Sequence, residues 1–342
     1  MVNIIIVGCG KAGSIHCKCY SKLKKSNLNV NLTAVVDSNP ERLRRFQTLY
    51  ETFNEAESPV TASSLKELSG QIDIENTIID LCVPNDMHYR CAKEAVDLGA
   101  KKIIIEKPIS NSLTDAKKIE ALDANIAIAE NYVYSKVTEQ LKETINKNHL
   151  RPKFARTEFS KDRRFDTANG RGFLMTGPPH VFTVEIPHQI AIVNYLFGNP
   201  VENFGAWCED MVTENMRFYE HGEGAITLHH DSGAISYNFS SLDGHKHLPI
   251  RHRSVMIHCD GGIRVSAHYP AGGDDALYGA VTVFQNNHIS EKLAIYDDTM
   301  FETLKNIIKR FENNEEQITD AAFGRSILEK INENIQLARI QG

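Results

Sequence analysis

Up to about residue 130 the chain alternates short β-branched runs with stretches whose apolar residues recur at helical spacing. The runs are Ile4–Val7, Leu32–Val36, Thr77–Val83, Ile103–Ile105 and Ile126–Ala129. Being apolar on both faces, they suit strands in the middle of a parallel sheet covered by helices. Between them, His88–Leu98 sets Cys91, Ala92, Ala95, Val96 and Leu98 at helical spacing, and Leu113–Leu122 follows the same rhythm. This alternation predicts right-handed βαβ units and a doubly wound sheet. From about residue 151 the rhythm changes. Ala225–His230, Ile235–Ser240, Ser254–Cys259, Ile263–Ala267, Val281–Phe284 and Leu293–Tyr296 read as strands. Turn clusters Asp231-Ser232-Gly233, Asp260-Gly261-Gly262 and Asn286-Asn287 join three pairs of them, and strands so joined are antiparallel neighbours. Two helices close the chain, striped by Phe301, Leu304, Ile307, Ile308 and Phe311, and by Ile327, Leu328, Ile331, Ile335 and Ala338. The expectation is an α/β domain over residues 1–132, followed over 133–342 by a domain built on an open sheet.

Composition narrows the class. At about 150 residues per domain, 342 residues agree with two domains. Hydrophobic residues at 42% and charged residues at 24% are ordinary for a soluble globular chain. The formal charge, 38 − 44 = −6, argues against a nucleic-acid partner, which calls for a basic face. No apolar run approaches the ~20 residues of a membrane span, and Ile4–Val7 is too short for a secretory signal. The seven cysteines contain no C-x-x-C pair and read as reduced thiols of a cytoplasmic protein.

Candidate chemistry begins at the first strand-to-helix turn. Gly8-Cys9-Gly10-Lys11-Ala12-Gly13 is a G-x-G-x-x-G directly after Ile4–Val7. Gly8 allows the tight turn, Gly10 removes a Cβ that would block a pyrophosphate, and Gly13 lets the helix pack close to the strand. The free N–H groups of that helix end attract phosphates. Val30–Val36 then ends in Asp37, at the spacing expected of the acidic residue that takes the ribose hydroxyls. Asp37 also repels a 2′-phosphate and so favours NAD, while Arg42 leaves room for NADP; Asp37 has a second reading as the cap of a helix starting at Pro40. A second site follows the fourth and fifth strands, where Val83-Pro84-Asn85 and Glu106-Lys107-Pro108 emerge at the strands' carboxyl ends. A lysine after three isoleucines is partly desolvated and is suited to stabilise a developing alkoxide; equally, it reads as the start of a helix set by Pro108.

Together, Ile105-Glu106-Lys107-Pro108 after an apolar strand, Val83-Pro84-Asn85-Asp86-x-His88 before it and the glycine fingerprint resemble one family. It is the glucose–fructose oxidoreductase, inositol dehydrogenase and rhizopine-catabolism family, written Gfo/Idh/MocA. The motifs lie mainly within residues 4–135. The resemblance implies a Rossmann domain, then an α/β domain with an open, mostly antiparallel sheet that often serves homodimer or homotetramer contacts. It implies NAD(P)-dependent oxidation or reduction at a ring carbon of a sugar, amino sugar or cyclitol. By the same resemblance Lys107 polarises the substrate and Pro108 follows a cis peptide. Pro84, Asn85 and His88 line the cofactor cleft, and Glu106 and Asn131 lie near the nicotinamide.

One stretch departs from that family's pattern. Members carry an Asp and a His four residues apart before a Tyr-Leu-hydrophobic-Gly ending. Here Tyr195-Leu196-Phe197-Gly198 supplies the ending and His188 the histidine, but Val184 stands where the aspartate would. Glu185, three before His188, is its neighbour on a helical face, and Pro187 is placed to distort that helix. In the expected reaction a substrate hydroxyl bridges Lys107 and His188, and His188 takes its proton. Three rivals stay open: an imine or biliverdin-type reductase, an NAD-assisted lyase or glycosidase, and a non-catalytic NAD-binding regulator. Lys161, Arg163, Arg164 and Arg171 suit an acidic substituent or phosphate, though such a charged loop is more often simply solvated, and His180 reads as a loop residue. His229, His230, His245 and His247 form no ligand pattern, because adjacent strand residues face opposite sides. No metal is expected.

Overall fold

The computed structural model describes residues 1–26, 28–54, 58–161, 180–212, 218–242, 251–270 and 277–341. They form two compact units, Met1–Asn131 with Met300–Leu328, and Tyr132–Thr299 with Glu329–Gly342.

The first unit is a six-stranded parallel sheet. Strands β1 (Val2–Val7), β2 (Val30–Val36), β3 (Val60–Ala62), β4 (Thr77–Leu81), β5 (Lys102–Ile105) and β6 (Asn125–Ile128) lie in the order β3-β2-β1-β4-β5-β6. Helices α1 (Lys11–Lys25), α2 (Pro40–Phe53), α3 (His88–Asp97) and α4 (Leu113–Glu120) connect them. This is the doubly wound Rossmann arrangement. Ile4, Ile5, Ile6, Ile103, Ile104 and Ile105 are fully buried, as strands covered on both faces require. Each such side chain contributes about 1.5–3 kcal/mol. Strand β3 adds to the predicted set; it is three residues long at the sheet edge, too short for a pattern to announce it.

The second unit carries an eight-stranded open sheet. Its strands are β7 (Pro152–Lys161), β8 (Pro200–Val212), β9 (Phe218–His230), β10 (Ile235–Ser241), β11 (Arg251–Cys259), β12 (Arg264–His268), β13 (Tyr278–Gln285) and β14 (His288–Tyr296). The order is β14-β13-β12-β11-β7-β10-β9-β8, antiparallel throughout except for β7 with β10. All three predicted turns join antiparallel neighbours. Asn286 and Asn287 both adopt positive φ, 50° and 64°, which is the backbone a two-residue hairpin turn demands. Helices α5 (Lys136–Lys147), α6 (Val181–Val184) and α7 (Ile186–Phe197) belong to the same unit. Val137 and Leu141 of α5 and Ile192 and Val193 of α7 share a core with Ala155, Phe159, Val255, Ile257 and Val281 of the sheet. The alternate strand positions leave Phe154, Trp207, Tyr278 and Tyr296 exposed on the other face.

Helices α8 (Thr299–Glu312) and α9 (Ala321–Gln341) close the chain. Leu304, Ile307, Ile308 and Phe311 of the predicted stripe are buried, and Phe301 is half-buried. Ala321 and Leu328 pack with the first unit's core. No helix among the described residues is long and apolar enough to cross a membrane.

Candidate functional site

Between β1 and α1 the connection is Gly8-Cys9-Gly10 alone. Gly8 sits at φ +102°, and a Cβ there would fall 2.5 Å from the Cys82 carbonyl oxygen. A Cβ on Gly13 would fall 2.1 Å from the Gly8 carbonyl oxygen, so helix and turn touch through bare backbone. Gly10 is different, because among the described residues nothing lies within 4 Å of where its Cβ would point. Helix α1 has no side-chain cap and no acidic residue in its first turn. The N–H groups of Lys11, Ala12 and Gly13 at that end therefore favour an anion. Asp37, buried at the end of β2, accepts the Cys9 N–H on Oδ2 at 2.9 Å and the Asn39 N–H on Oδ1 at 2.8 Å. Burial, with the Asp37 charge adding to it, pushes the Cys9 thiol up to about 12. Asn39 caps α2 by accepting the N–H groups of Glu41 and Arg42, so the capping reading of Asp37 is corrected. The reason is spacing: a cap must directly precede the first helical residue, here Pro40. Arg42 Nη1 stands 4.0 Å from Asp37. An open floor over Gly10, an uncapped helix end and a fixed carboxylate with spare lone pairs fit a dinucleotide.

Because β1, β4 and β5 are sheet neighbours, the residues that follow them emerge side by side. Val83, Pro84 and Asn85 follow β4, and Asn85 Nδ2 donates to Asn111 Oδ1 at 3.2 Å. His88 is fully buried, with its ring nitrogens 3.1 Å from the carbonyl oxygens of Ile109 and Val83. Burial outweighs those carbonyls and lowers its pKa, so the neutral ring donates to one of the two. It braces the end of β4 against the segment after Pro108 from behind. Glu106-Lys107-Pro108 follows β5, with Lys107–Pro108 a cis peptide and Lys107 half-buried. Asn131 follows β6 and accepts the Thr303 hydroxyl on its backbone oxygen at 3.3 Å.

Beneath Lys107 lies a charge network. The Nδ1 of His16, on α1, is 2.8 Å from Asp80 Oδ2, and its Nε2 is 2.8 Å from Glu106 Oε1. Tyr20 donates to Asp80 Oδ2 at 2.6 Å, and Glu106 Oε2 accepts the Lys107 N–H at 3.2 Å. Burial works against a charged His16, but Asp80 and then Cys82 override it and hold its pKa well above the ordinary histidine value. Burial likewise raises Glu106, but the hydrogen bond and charge of His16, with Lys107, bring it below the usual carboxylate range. With an acceptor oxygen at 2.8 Å from each ring nitrogen, the geometry suits an imidazolium that donates on both sides. His16, Asp80 and Cys82 bring ligand-type atoms within 4.8 Å of one another. Both imidazole nitrogens and Asp80 Oδ2 are already engaged in hydrogen bonds, so the cluster reads as a network and not as a metal centre.

In the second unit, α6 ends and α7 begins at Glu185 (φ −110°, ψ −27°). Pro187 falls in the first turn of α7, where a missing N–H costs no helical bond. The expected distortion is thus a break between two helices. Glu185 and His188 are both buried. The Tyr132 ring meets His188 edge-on at 4.9 Å between centroids, and the Arg253 guanidinium lies 5.3 Å above the same ring. Arg253 Nη2 is 3.9 Å from Glu185 Oε2, its Nη1 donates to the Pro270 carbonyl at 3.3 Å, and its Nε meets no acceptor among the described residues. Glu185, His188, Tyr132 and Arg253 are therefore one cluster. Val184 is buried and apolar and contributes no charge to it.

The remaining candidates disperse. His180 Nδ1 accepts the Phe182 N–H at 3.2 Å and caps α6. His229 stacks on Phe204, while His230 is buried between the Gly198 carbonyl and the Ser236 hydroxyl, on the other face as predicted. Lys161 ends β7. Arg163, Arg164, Arg171, His245 and His247 lie outside the described residues. Sequence reasoning missed His16, Asp80, Tyr132 and Arg253. Only Asp80 carried a signal, being an ionisable residue in the otherwise apolar run Ile78-Ile79-Asp80-Leu81.

Comparison with known proteins agrees with this geometry. Residues 2–125 match the profile of an oxidoreductase family with an NAD-binding Rossmann fold. No curated protein sequence matches the chain significantly. Among solved structures, UDP-N-acetylglucosamine 3-dehydrogenase GnnA from Acidithiobacillus ferrooxidans superposes with a TM-score of 0.77 at 14% identity, covering 99% of each chain. Levoglucosan dehydrogenase, solved with NADH and levoglucosan, gives 0.76 at 16% identity, covering 100% of this chain and 98% of that one. The WlbA dehydrogenase from Bordetella pertussis, in complex with NADH and UDP-GlcNAcA, gives 0.73 at 17%, covering 100% and 97%. At such identities the likeness is one of fold, and it spans both units.

Proposed function

With the N-terminal domain belonging to the NAD-binding Gfo/Idh/MocA oxidoreductases, we propose that this dehydrogenase acts on a ring carbon of a sugar or amino sugar. The observation that carries the reading is Lys107 at the carboxyl end of β5, two strands from the glycine turn, with its backbone pinned by Glu106. Gly8, Gly10, Lys11, Ala12, Gly13 and Asp37 would hold the dinucleotide, with Val83, Pro84, Asn85 and Asn131 along its nicotinamide half. When bound, NAD supplies the hydride acceptor. Lys107 donates a hydrogen bond to the substrate oxygen and stabilises negative charge as it develops there. His188 accepts the hydroxyl proton, edge-on to Tyr132, which fixes the ring plane. Glu185 takes the place of the family's aspartate by holding Arg253, and Arg253 keeps donors to offer a polar substituent.

The sugar class is supported by relatives of the same fold that are named for UDP-N-acetylglucosamine and levoglucosan. The exposed aromatics Phe154, Trp207, Tyr278 and Tyr296 on one sheet face support a homo-oligomer. Buried reduced thiols support a cytoplasmic location. The test is a panel of sugars, UDP-amino sugars and cyclitols, each mixed with NAD or NADP and followed by NADH absorbance. Turnover with a sugar and NAD is the expected result. Binding of NAD without turnover of any panel member would favour the non-catalytic regulator.

A further inference from the structure

Helix α1 does more than receive phosphates. His16 lies on its buried face, one turn past Gly13, and it is there that α1 touches the two strand ends carrying the chemistry. It faces Asp80 of β4 at 2.8 Å, Cys82 just after β4 at 3.4 Å, and Glu106 just after β5 at 2.8 Å. Tyr20, one turn further along α1, closes on Asp80 at 2.6 Å. Glu106 spends its second oxygen on the N–H of Lys107, and its carboxylate also senses the charge of Lys107. A carboxylate has two oxygens and many rotamers. Held on one side only, it would swing, and the Lys107 peptide would lose its acceptor. Held by His16 on the other side, it is locked.

We propose that His16 is a positioning residue for Lys107: clamped between Asp80 and Glu106, it fixes the Glu106 carboxylate against the Lys107 backbone. The dinucleotide helix and the lysine are thereby one rigid piece. The proposal rests on the reading of Lys107 as the polarising group only for its kinetic consequence; the clamp itself is a claim about structure. Its chemistry requires a charged ring, because two carboxylates on a neutral imidazole would leave one of them facing a lone pair.

Nitrogen NMR of the full-length protein labelled in the histidine rings tests the clamp without any substrate. Both His16 nitrogens should carry protons, and the ring should stay protonated on passing upward through the ordinary histidine value of ~6.5. A ring that titrates near the ordinary value overturns the proposal. In His16→Asn the Lys107 amide resonance should move and should titrate with Glu106, now protonating at higher pH; an unmoved amide overturns it too. Should that variant fail to fold, Glu106→Gln serves, and the Lys107 amide should shift upfield there while His16 stays charged on Asp80. On any sugar turned over in the panel, His16→Asn should lower kcat about tenfold and add an acid limb to its pH profile, with the NAD KM within about threefold. The limb should vanish in His16→Asn/Glu106→Gln; its persistence would assign it to Asp80 and sink the clamp. Full activity in Lys107→Met would instead remove the catalytic reading and leave the NMR result standing.

Discussion

The two units hold their buried charges in different ways. In the first, His16, Asp80, Tyr20 and Glu106 meet at 2.6–2.8 Å. In the second, Arg253 and Glu185 stand 3.9 Å apart, and Arg253 Nε, Gln189 Nε2 and both amide atoms of Asn194 find no partner among the described residues. Leaving a buried polar group unpaired costs about 1–3 kcal/mol. The first network is closed on itself by short hydrogen bonds, whereas the second unit holds buried polar atoms whose pairing would be a gain. On the proposed division of roles, the cofactor half carries a closed charge cluster under Lys107, while the substrate half keeps buried polar atoms that a ligand could pair.

That contrast can be broken at several points. Lys107→Met should reduce kcat about 10³-fold while NAD affinity, measured by titration, stays within about twofold. A large loss of NAD binding would mean that the lysine belongs to the cofactor site. Gly13→Ala places a methyl against the Gly8 carbonyl, and should weaken NAD binding about 10²-fold and cost about 1–3 kcal/mol in urea unfolding. Arg253→Ala should raise the sugar KM about tenfold and leave the NAD KM unchanged; the reverse pattern would erase the division of labour between the units.

Stability against pH reads the finished network directly. The pKa of His16 is raised on folding, so its contribution is complete below the ordinary value of ~6.5 and is lost as pH rises through the folded value. The pKa of Glu106 is lowered, so its contribution is complete above ~4.3 and is lost as pH falls through the folded value. Urea unfolding across pH should show a plateau between the two, and His16→Asn should flatten the alkaline fall. The smallest effect is expected from Arg42→Ala, which should cut NADP use relative to NAD only a few-fold, since Arg42 is mostly exposed and 4.0 Å from Asp37.

Much of the first unit was legible because its signals are local. Gly8, Gly10 and Gly13 stand at fixed spacing directly after a strand, and β1, β4 and β5 are runs of apolar, mostly β-branched residues, broken in β4 by Asp80. The second unit was harder to read. Strand β7, in the middle of its sheet, reads Phe154-Ala155-Arg156-Thr157-Glu158-Phe159. Small Ala155 and Thr157 face the core while Arg156 and Glu158 point away, so the alternation is real but weakly apolar. Strand β8 is an edge with three register shifts, and its period-two pattern is broken at each. The spacing of Glu185 and His188 suggested one helical face, but the break between α6 and α7 at Glu185 followed from where Pro187 fell in the packing.

What the sequence determined alone was whatever depends on neighbours a few residues away: strand and helix periods, the hairpin turns, the glycine fingerprint and the emergence of Lys107 from an apolar run. What only the tertiary structure decided was which buried charges meet. His16 reaches Asp80 across 64 residues and Glu106 across 90, and Arg253 finds Tyr132 and Glu185 only once the sheet has formed. A side chain's protonation state and role are set by its dielectric surroundings and by the charges beside it. Both belong to the folded chain, and no window of sequence contains them.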